Sequence, residues 1–265
     1  MADGYIPGIE SIRHKVDEAE WRVRVDLAAL YRLAALSGWD DLIFTHISAR
    51  VPGPEHHFLI NPFGLRFAEV TASSLVKINY EGELVEPSAY GINYAGFVIH
   101  SAIHHAREDA HYVLHFHTDD GTAVSSQKDG LLPLNQRSLA VIPRLAYHDY
   151  EGVALNLDER ERLVADLGDK PLLMLRNHGT LALGKNPGAA WLGIYELERA
   201  CTAQIRALSA GRDGVLIAPE AAQAEVRAMV NGQRAVGSGG SGSTSKLAWA
   251  ALLRQVDKES PGYDS

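Results

Sequence analysis

With 265 residues, 46 % of them hydrophobic and 22 % charged, the chain suits one large α/β domain and is too apolar to be disordered or fibrous. Its formal charge of -8, from 25 Lys and Arg against 33 Asp and Glu, comes with no basic stripe and argues against nucleic acid or an anionic membrane as a partner. The single Cys201 excludes an internal disulfide and reads as a buried packing thiol, no apolar run reaches the roughly 18 residues a bilayer span needs, and the opening MADGYIPGIE lacks a charged region followed by an apolar one, so a cytoplasmic protein is expected.

Glu18 to Leu36 repeats its apolar residues at three- and four-residue spacing and reads as an amphipathic helix stopped by Ser37-Gly38. Leu42–Val51, His57–Ile60, Val76–Tyr80 and Glu83–Val85 are short apolar pieces between turn residues, read as strands of a meander. Gly96 to Ala106 reads as a helix and Tyr112 to His117 as a strand. Leu139–Leu145 and Leu172–Leu175 are further strand candidates, with a helix at Asp158–Leu167 between them. Pro187 to Ala210 reads as a long helix with proline in its first turn, where the missing N–H costs nothing, and Pro219–Val230 as a last helical piece. Residues 1–235 are thus expected to form one domain. Gly/Ser-rich residues 236–245 read as a flexible linker, and residues 246–265 as a docking helix or tail able to reach a neighbouring subunit. Strands and helices mix without strict βαβ alternation, which predicts a mixed sheet covered by helices on both faces.

Of twelve histidines, the pair in His115-Phe116-His117 stands out. Residues i and i+2 of a strand share a face, so two imidazoles can reach one ion while Phe116 points into the core. Metal sites usually need a third protein ligand, and His178, in Arg176-Asn177-His178-Gly179 after an apolar strand, is the natural candidate. Inert, hydrogen-bonded core histidines remain the alternative on these residues alone. His100 and His104 share a helix face at i and i+4, a spacing that suits packing as well as a metal. His46 falls inside a strand, and His14, His56 and His57 read as solvated.

The stretch from about Val25 to Ala210 resembles the class II aldolase/adducin family, on the segments THISARVP (Thr45–Pro52), LINPFGL (Leu59–Leu65), EVTASSLVKI (Glu69–Ile78), GFVIHSAIHHAREDAHYVLHFHT (Gly96–Thr118), LAYHDYEG (Leu145–Gly152) and LRNHGTLALG (Leu175–Gly184). The resemblance implies a three-layer α/β/α sandwich with a mixed, mostly antiparallel sheet, and a homotetramer with active sites between neighbours. It also implies a divalent metal (zinc first, manganese or iron as alternatives) on His115, His117 and His178. Substrate-binding loops would fall at Thr45-His46 and Phe63-Gly64. One departure matters: the sugar-phosphate aldolases carry a glutamate, both metal ligand and proton shuttle, at the position of Gly96 here, and Tyr94-Ala95 replace small hydroxyl residues of the phosphate pocket.

A carboxylate-poor three-histidine site points to a chelating hydroxy- or oxo-carboxylate substrate. The expected function is a metal-dependent carbon–carbon lyase, decarboxylase or retro-aldolase, that stabilises an enolate or phenolate. His46, His100, Arg137 and Tyr147 map as candidates for proton delivery or substrate contact, and Gln136 as substrate-binding. The alternatives are a non-catalytic adducin-like binding module and a non-haem iron oxygenase, since three neutral ligands also tolerate iron(II).

Overall fold

A computed structural model describes residues 9–152, 158–232 and 241–265. In chain order the elements are α1 (Glu18–Leu36), β1 (His46–Arg50), β2 (Phe58–Ile60), β3 (Val76–Ile78), α2 (Tyr94–Ala106), β4 (Tyr112–Phe116), α3 (Asp119–Ser125) and α4 (Gln136–Val141). They continue with β5 (Leu145–His148), α5 (Glu159–Leu167), β6 (Leu172–Leu175), β7 (Gly179–Gly184), α6 (Pro187–Leu208), α7 (Glu220–Val230) and α8 (Ser241–Glu259). The strands form a seven-stranded sheet in the order β3-β2-β1-β4-β7-β6-β5. Every adjacent pair is antiparallel except β5 with β6.

Alternation along the strands splits the core into two layers. Ile47, Ala49, Leu114, Phe116, Leu172, Met174 and Ala182 point to one face and pack with α1, α6 and α8. Val113, Leu173, Leu175, Leu181 and Leu183 point to the other and meet Ile99 and Ile103 of α2 with Leu163 and Leu167 of α5. The result is the expected α/β/α sandwich. Cys201 is fully buried in the first layer, as a packing thiol should be. Among the described residues no helix is long and apolar enough to cross a membrane.

The bounds of α1 match the sequence reading because both ends carry local signals. The Asp17 carboxylate accepts the Glu20 N–H at 2.8 Å, and Gly38 takes φ +68° just past the end. Its buried Leu27, Leu30 and Leu33 each contribute roughly 1.5–3 kcal/mol through removal from water. From the same face Tyr31 reaches the sheet. Its hydroxyl accepts the Ile47 N–H (2.9 Å) and the Asn61 N–H (3.0 Å) and lies 2.8 Å from Asn61 Oδ1. One phenol thus holds the start of β1 and the end of β2 together.

Four expectations need correction. Glu83–Val85 forms no strand, only an isolated bridge between Leu84 and Ile78. Leu139–Leu145 is not a strand: α4 runs to Val141, a 3-10 turn covers Ile142–Arg144, and β5 starts at Leu145. The reason is a capping box in which Asn135 accepts the N–H groups of Arg137 and Ser138, together with Pro143, which a central strand position excludes. The strand β7 was not anticipated. α8 begins at Ser241, within the stretch read as linker; residues 233–240 lie outside the described residues, as do 1–8 of the opening segment. Beyond α8 the tail folds back on its own chain, with Ala72 N–H donating to Tyr263 O (2.8 Å) and Ser73 N–H to Ser265 O (3.0 Å).

Replacing Tyr31 by Phe should strand two buried N–H groups and cost about 1–3 kcal/mol, read as a lower denaturant midpoint at unchanged slope. A midpoint equal to wild type would show that Tyr31 contributes packing alone.

Candidate metal centre

The ends of β2, β4 and β6 and the starts of β1 and β7 lie along the same edge of the sheet, because these strands alternate in direction. His115 is the penultimate residue of β4 and His117 follows its end, on the same face, with Phe116 buried behind them. His178 comes from the turn between β6 and β7. Leu175 pairs with Gly179, leaving Arg176-Asn177-His178 as a three-residue loop with Asn177 at φ +54°. Gly179 is required here, since a Cβ would lie 2.3 Å from Phe116 O. That close approach brings the His178 loop against the end of β4. The three ring centroids are 4.7 Å (His115–His117), 4.8 Å (His115–His178) and 4.8 Å (His117–His178) apart. One ligand atom from each lies within 4.8 Å of the others.

Hydrogen bonds fix which nitrogens point inward. His115 Nδ1 lies 3.0 Å from Thr180 O, which can only accept, so Nδ1 carries the hydrogen and Nε2 is bare in the neutral ring. His117 Nδ1 lies 3.1 Å from the Asp41 carboxylate, and by the same reasoning the neutral ring has a bare Nε2. These two Nε2 atoms face each other at 3.0 Å. Two lone pairs at that distance repel unless a cation sits between them. A proton could serve two nitrogens, but a metal ion serves all three. A tetrahedral zinc with N at about 2.0–2.1 Å separates its nitrogens by about 3.3–3.4 Å, close to this spacing. The donor set therefore fits a divalent ion, and Asp41 supplies the carboxylate that orients a ligating imidazole.

Burial favours the neutral, ligating form of His115 and His178. It pushes His178 down to about 4 and His115 well below its ordinary range, with neighbouring histidines adding to both. His46 is lowered to about 3 and His104 to about 3, both chiefly by burial, and His100 falls well below its ordinary value for the same reason.

The other expected residues divide between the two faces. His46 pairs with His115 across β1 and β4, so their rings lie on one face, 6.5 Å apart and nearly parallel. His100 comes up from α2 beneath it, 5.8 Å from His46. Thr45 is fully buried, holds φ +61° despite its branched side chain, and its hydroxyl makes no hydrogen bond. Phe63 and Gly64 form an exposed loop after β2, at the edge of the sheet that carries the trio. Arg137, Gln136 and Tyr147 are not brought to the three histidines within this chain. α4 packs with α6 on the opposite face, where Arg137 lies 5.5 Å over the Tyr195 ring and Gln136 is exposed. The Tyr147 hydroxyl accepts the Leu131 N–H at 3.0 Å, and Arg176 covers its ring at 4.4 Å. His104 is packed, its ring bonded to Ser48 and Ala110. His14 and His56 are exposed and His57 is half-buried.

Two groups were missed. Asp41 opens the turn Asp41–Phe44 ahead of β1, with nothing in the sequence to mark it as a partner of His117. Glu198 of α6 lies behind the site, accepting hydrogen bonds from Thr118 Oγ1 (2.5 Å) and Thr180 Oγ1. Burial raises its carboxyl to about 7 despite those bonds.

Two outcomes follow. Asp41→Asn should weaken metal binding about 10–100-fold while leaving the fold intact, measured by competition with a chelator; unchanged affinity would remove Asp41 from the site. Metal-free protein should lose stability from pH 6.5 to 4.5. In that window the unfolded chain protonates histidines at their ordinary 6.5 that the fold keeps neutral (His46, His100, His104, His115 and His178). Glu198 and Asp26, raised to about 7 and about 6 by burial, act in the opposite sense but are fewer. A melting temperature that rises on acidification would contradict this balance.

Residues 25–205 match the family described as Class II Aldolase and Adducin N-terminal domain. A Caulobacter vibrioides protein named "Putative aldolase class 2 protein" is 64 % identical over 263 residues, covering 99 % of each chain. Rat alpha-adducin is 41 % identical over 261 residues, which are 94 % of this chain and 35 % of that protein. The crystal structure of an aldolase II superfamily protein from Pseudomonas syringae superposes with a TM-score of 0.89 at 52 % identity, covering 97 % of this chain and 100 % of that one. With its sandwich, its sheet and most of its length matched, the chain belongs to the class II aldolase/adducin family.

Proposed function

We propose that this chain is a divalent-metal-dependent carbon–carbon lyase, a decarboxylase or retro-aldolase, acting on a hydroxy- or oxo-carboxylate. The observation that carries the reading is the pair of bare Nε2 atoms of His115 and His117 at 3.0 Å, with His178 converging on them. A divalent ion bound there would supply Lewis-acid polarisation of substrate oxygens. Three imidazoles suit zinc first, and manganese or iron(II) as alternatives.

The chain's own residues supply the rest. Among the described residues no carboxylate joins the three imidazoles, so nothing in the trio offsets the charge of an ion. An anionic, chelating substrate answers that imbalance. Thr45 presents a buried, unpartnered hydroxyl beside His46, and a substrate oxygen would satisfy it. Phe63 and Gly64 would line the entrance. The resemblance further suggests a cytoplasmic homo-oligomer, a tetramer, which light scattering would test.

The kinship with alpha-adducin supports a second reading, a binding module that keeps its histidines for packing. Metal content separates the two. Protein purified without added metal or a histidine tag should carry close to one divalent ion per chain, and the His115→Ala, His117→Ala double variant should carry none. The loaded protein should then cleave hydroxy- or oxo-acids without oxygen, which an oxygenase would not. No metal in wild type, even after offering zinc, manganese and iron(II), would sink the lyase reading and favour the binding module.

A further inference from the structure

Glu198, midway along α6, is 2 % exposed and faces the back of the sheet. Its partner Thr180 shares the face of Ala182, which packs toward α6, whereas His115 shares the opposite face with Val113. Both carboxylate oxygens are taken: Oε2 accepts the Thr118 hydroxyl at 2.5 Å and Oε1 accepts the Thr180 hydroxyl. Thr118 Oγ1 also accepts the Gly121 N–H at 3.0 Å as the N-cap of α3, so its one hydrogen is committed to Glu198.

Stability alone does not explain a carboxylate here. Among the described residues the charge that acts on it is Asp120, of its own sign, and burial is the larger reason its carboxyl rises to about 7. A buried charge without a cation opposes folding, and a well-packed apolar side chain would be the more stable occupant. The chain nevertheless makes room for it. Gly121 lies inside α3 with no positive φ to demand glycine. A Cβ there would lie 2.7 Å from Thr118 Oγ1, 3.0 Å from Thr180 Cγ2 and 3.1 Å from Glu198 Oε1. Glycine weakens a helix interior, so α3 is weakened where it meets the carboxylate.

The two hydroxyls lead to all three imidazoles. Thr118 directly follows His117. As the cap of α3 it also fixes the helix whose Thr122 hydroxyl donates to His178 O at 3.2 Å. Thr180 follows His178-Gly179, and its carbonyl accepts from His115 Nδ1 at 3.0 Å. It pairs across the sheet with Phe116, the residue between His115 and His117. Every member of the trio is thus one or two links from a single buried side chain.

We propose that Glu198 is a positioning residue of the metal centre: through the Thr118 and Thr180 hydroxyls it locks the end of β4 to the start of β7 and so sets the spacing of His115, His117 and His178. The inference deepens the function proposed above and rests on its metal-binding part. Glu198 touches neither ion nor substrate. It acts through the ligands, which bind an ion more tightly when they are already held at the required spacing.

The test uses the full-length protein at pH 8, with zinc affinity read by competition with a chelator. Visible absorption of the cobalt(II) form reports the geometry of the ligand set, and the folded fraction is followed by circular dichroism. Glu198→Gln keeps the size and removes the charge; it should bind zinc about 10–100-fold more weakly and shift the cobalt bands. The double variant Glu198→Met, Thr180→Val replaces carboxylate and hydroxyl by apolar groups of similar size. It should melt no lower than wild type yet lose affinity to the same extent. Wild-type zinc affinity in either variant would overturn the proposal. So would a loss that disappears once the unfolded fraction is corrected for, which is what a merely structural role gives. Wild type that binds no zinc would overturn the metal-dependent reading itself, and the role of Glu198 with it.

Discussion

Two imidazole nitrogens, His115 Nε2 and His117 Nε2, face each other at 3.0 Å with their ring hydrogens committed elsewhere. Neither ring can turn away cheaply. His115 would leave the Thr180 carbonyl and His117 the Asp41 carboxylate, each a buried or partly buried hydrogen bond worth about 1–3 kcal/mol to break. A cation between them would relieve the tension, and with His178 beside them the donor set fits a divalent ion. A ligand that binds only the folded arrangement stabilises that arrangement, so an ion bound here would couple to folding of this edge of the sheet.

The surrounding fold holds the three rings in register. β4 is paired on both sides, by β1 and β7, which leaves its end little freedom. Tyr31 ties β1 to β2 from the far face, and Glu198 ties Thr118 to Thr180, the residues flanking His117 and following Gly179. The same burial that makes the site rigid also favours the uncharged form of His115 and His178, the form able to ligate a metal ion.

The trio was legible in the sequence because it follows from short-range geometry. A strand's two-residue period puts His115 and His117 on one side and Phe116 on the other, and a polar turn after an apolar strand places His178. What stayed hidden depends on separation. Asp41 meets His117 across 76 residues and Glu198 meets Thr118 across 80, and no local pattern marks either partner. The hairpin partner β7 was overlooked although Arg176-Asn177-His178 between two apolar runs is a turn signal. The stretch from Leu139 looked like a strand because its apolar residues outweighed the Asn135 cap. Gly96 read as a loss, and only the folded chain places the His46 ring in that space. Arg137 and Tyr147, mapped by resemblance alone, fall on the other side of the sheet.

The central claim is that three imidazoles of one chain converge on a single divalent ion. X-ray absorption at the zinc edge, recorded on the loaded protein, tests it most directly. The account predicts three imidazole nitrogens at about 2.0–2.1 Å completed by light oxygen scatterers, with one imidazole lost in His178→Ala. A spectrum dominated by oxygen, or one that His178→Ala leaves unchanged, would contradict it.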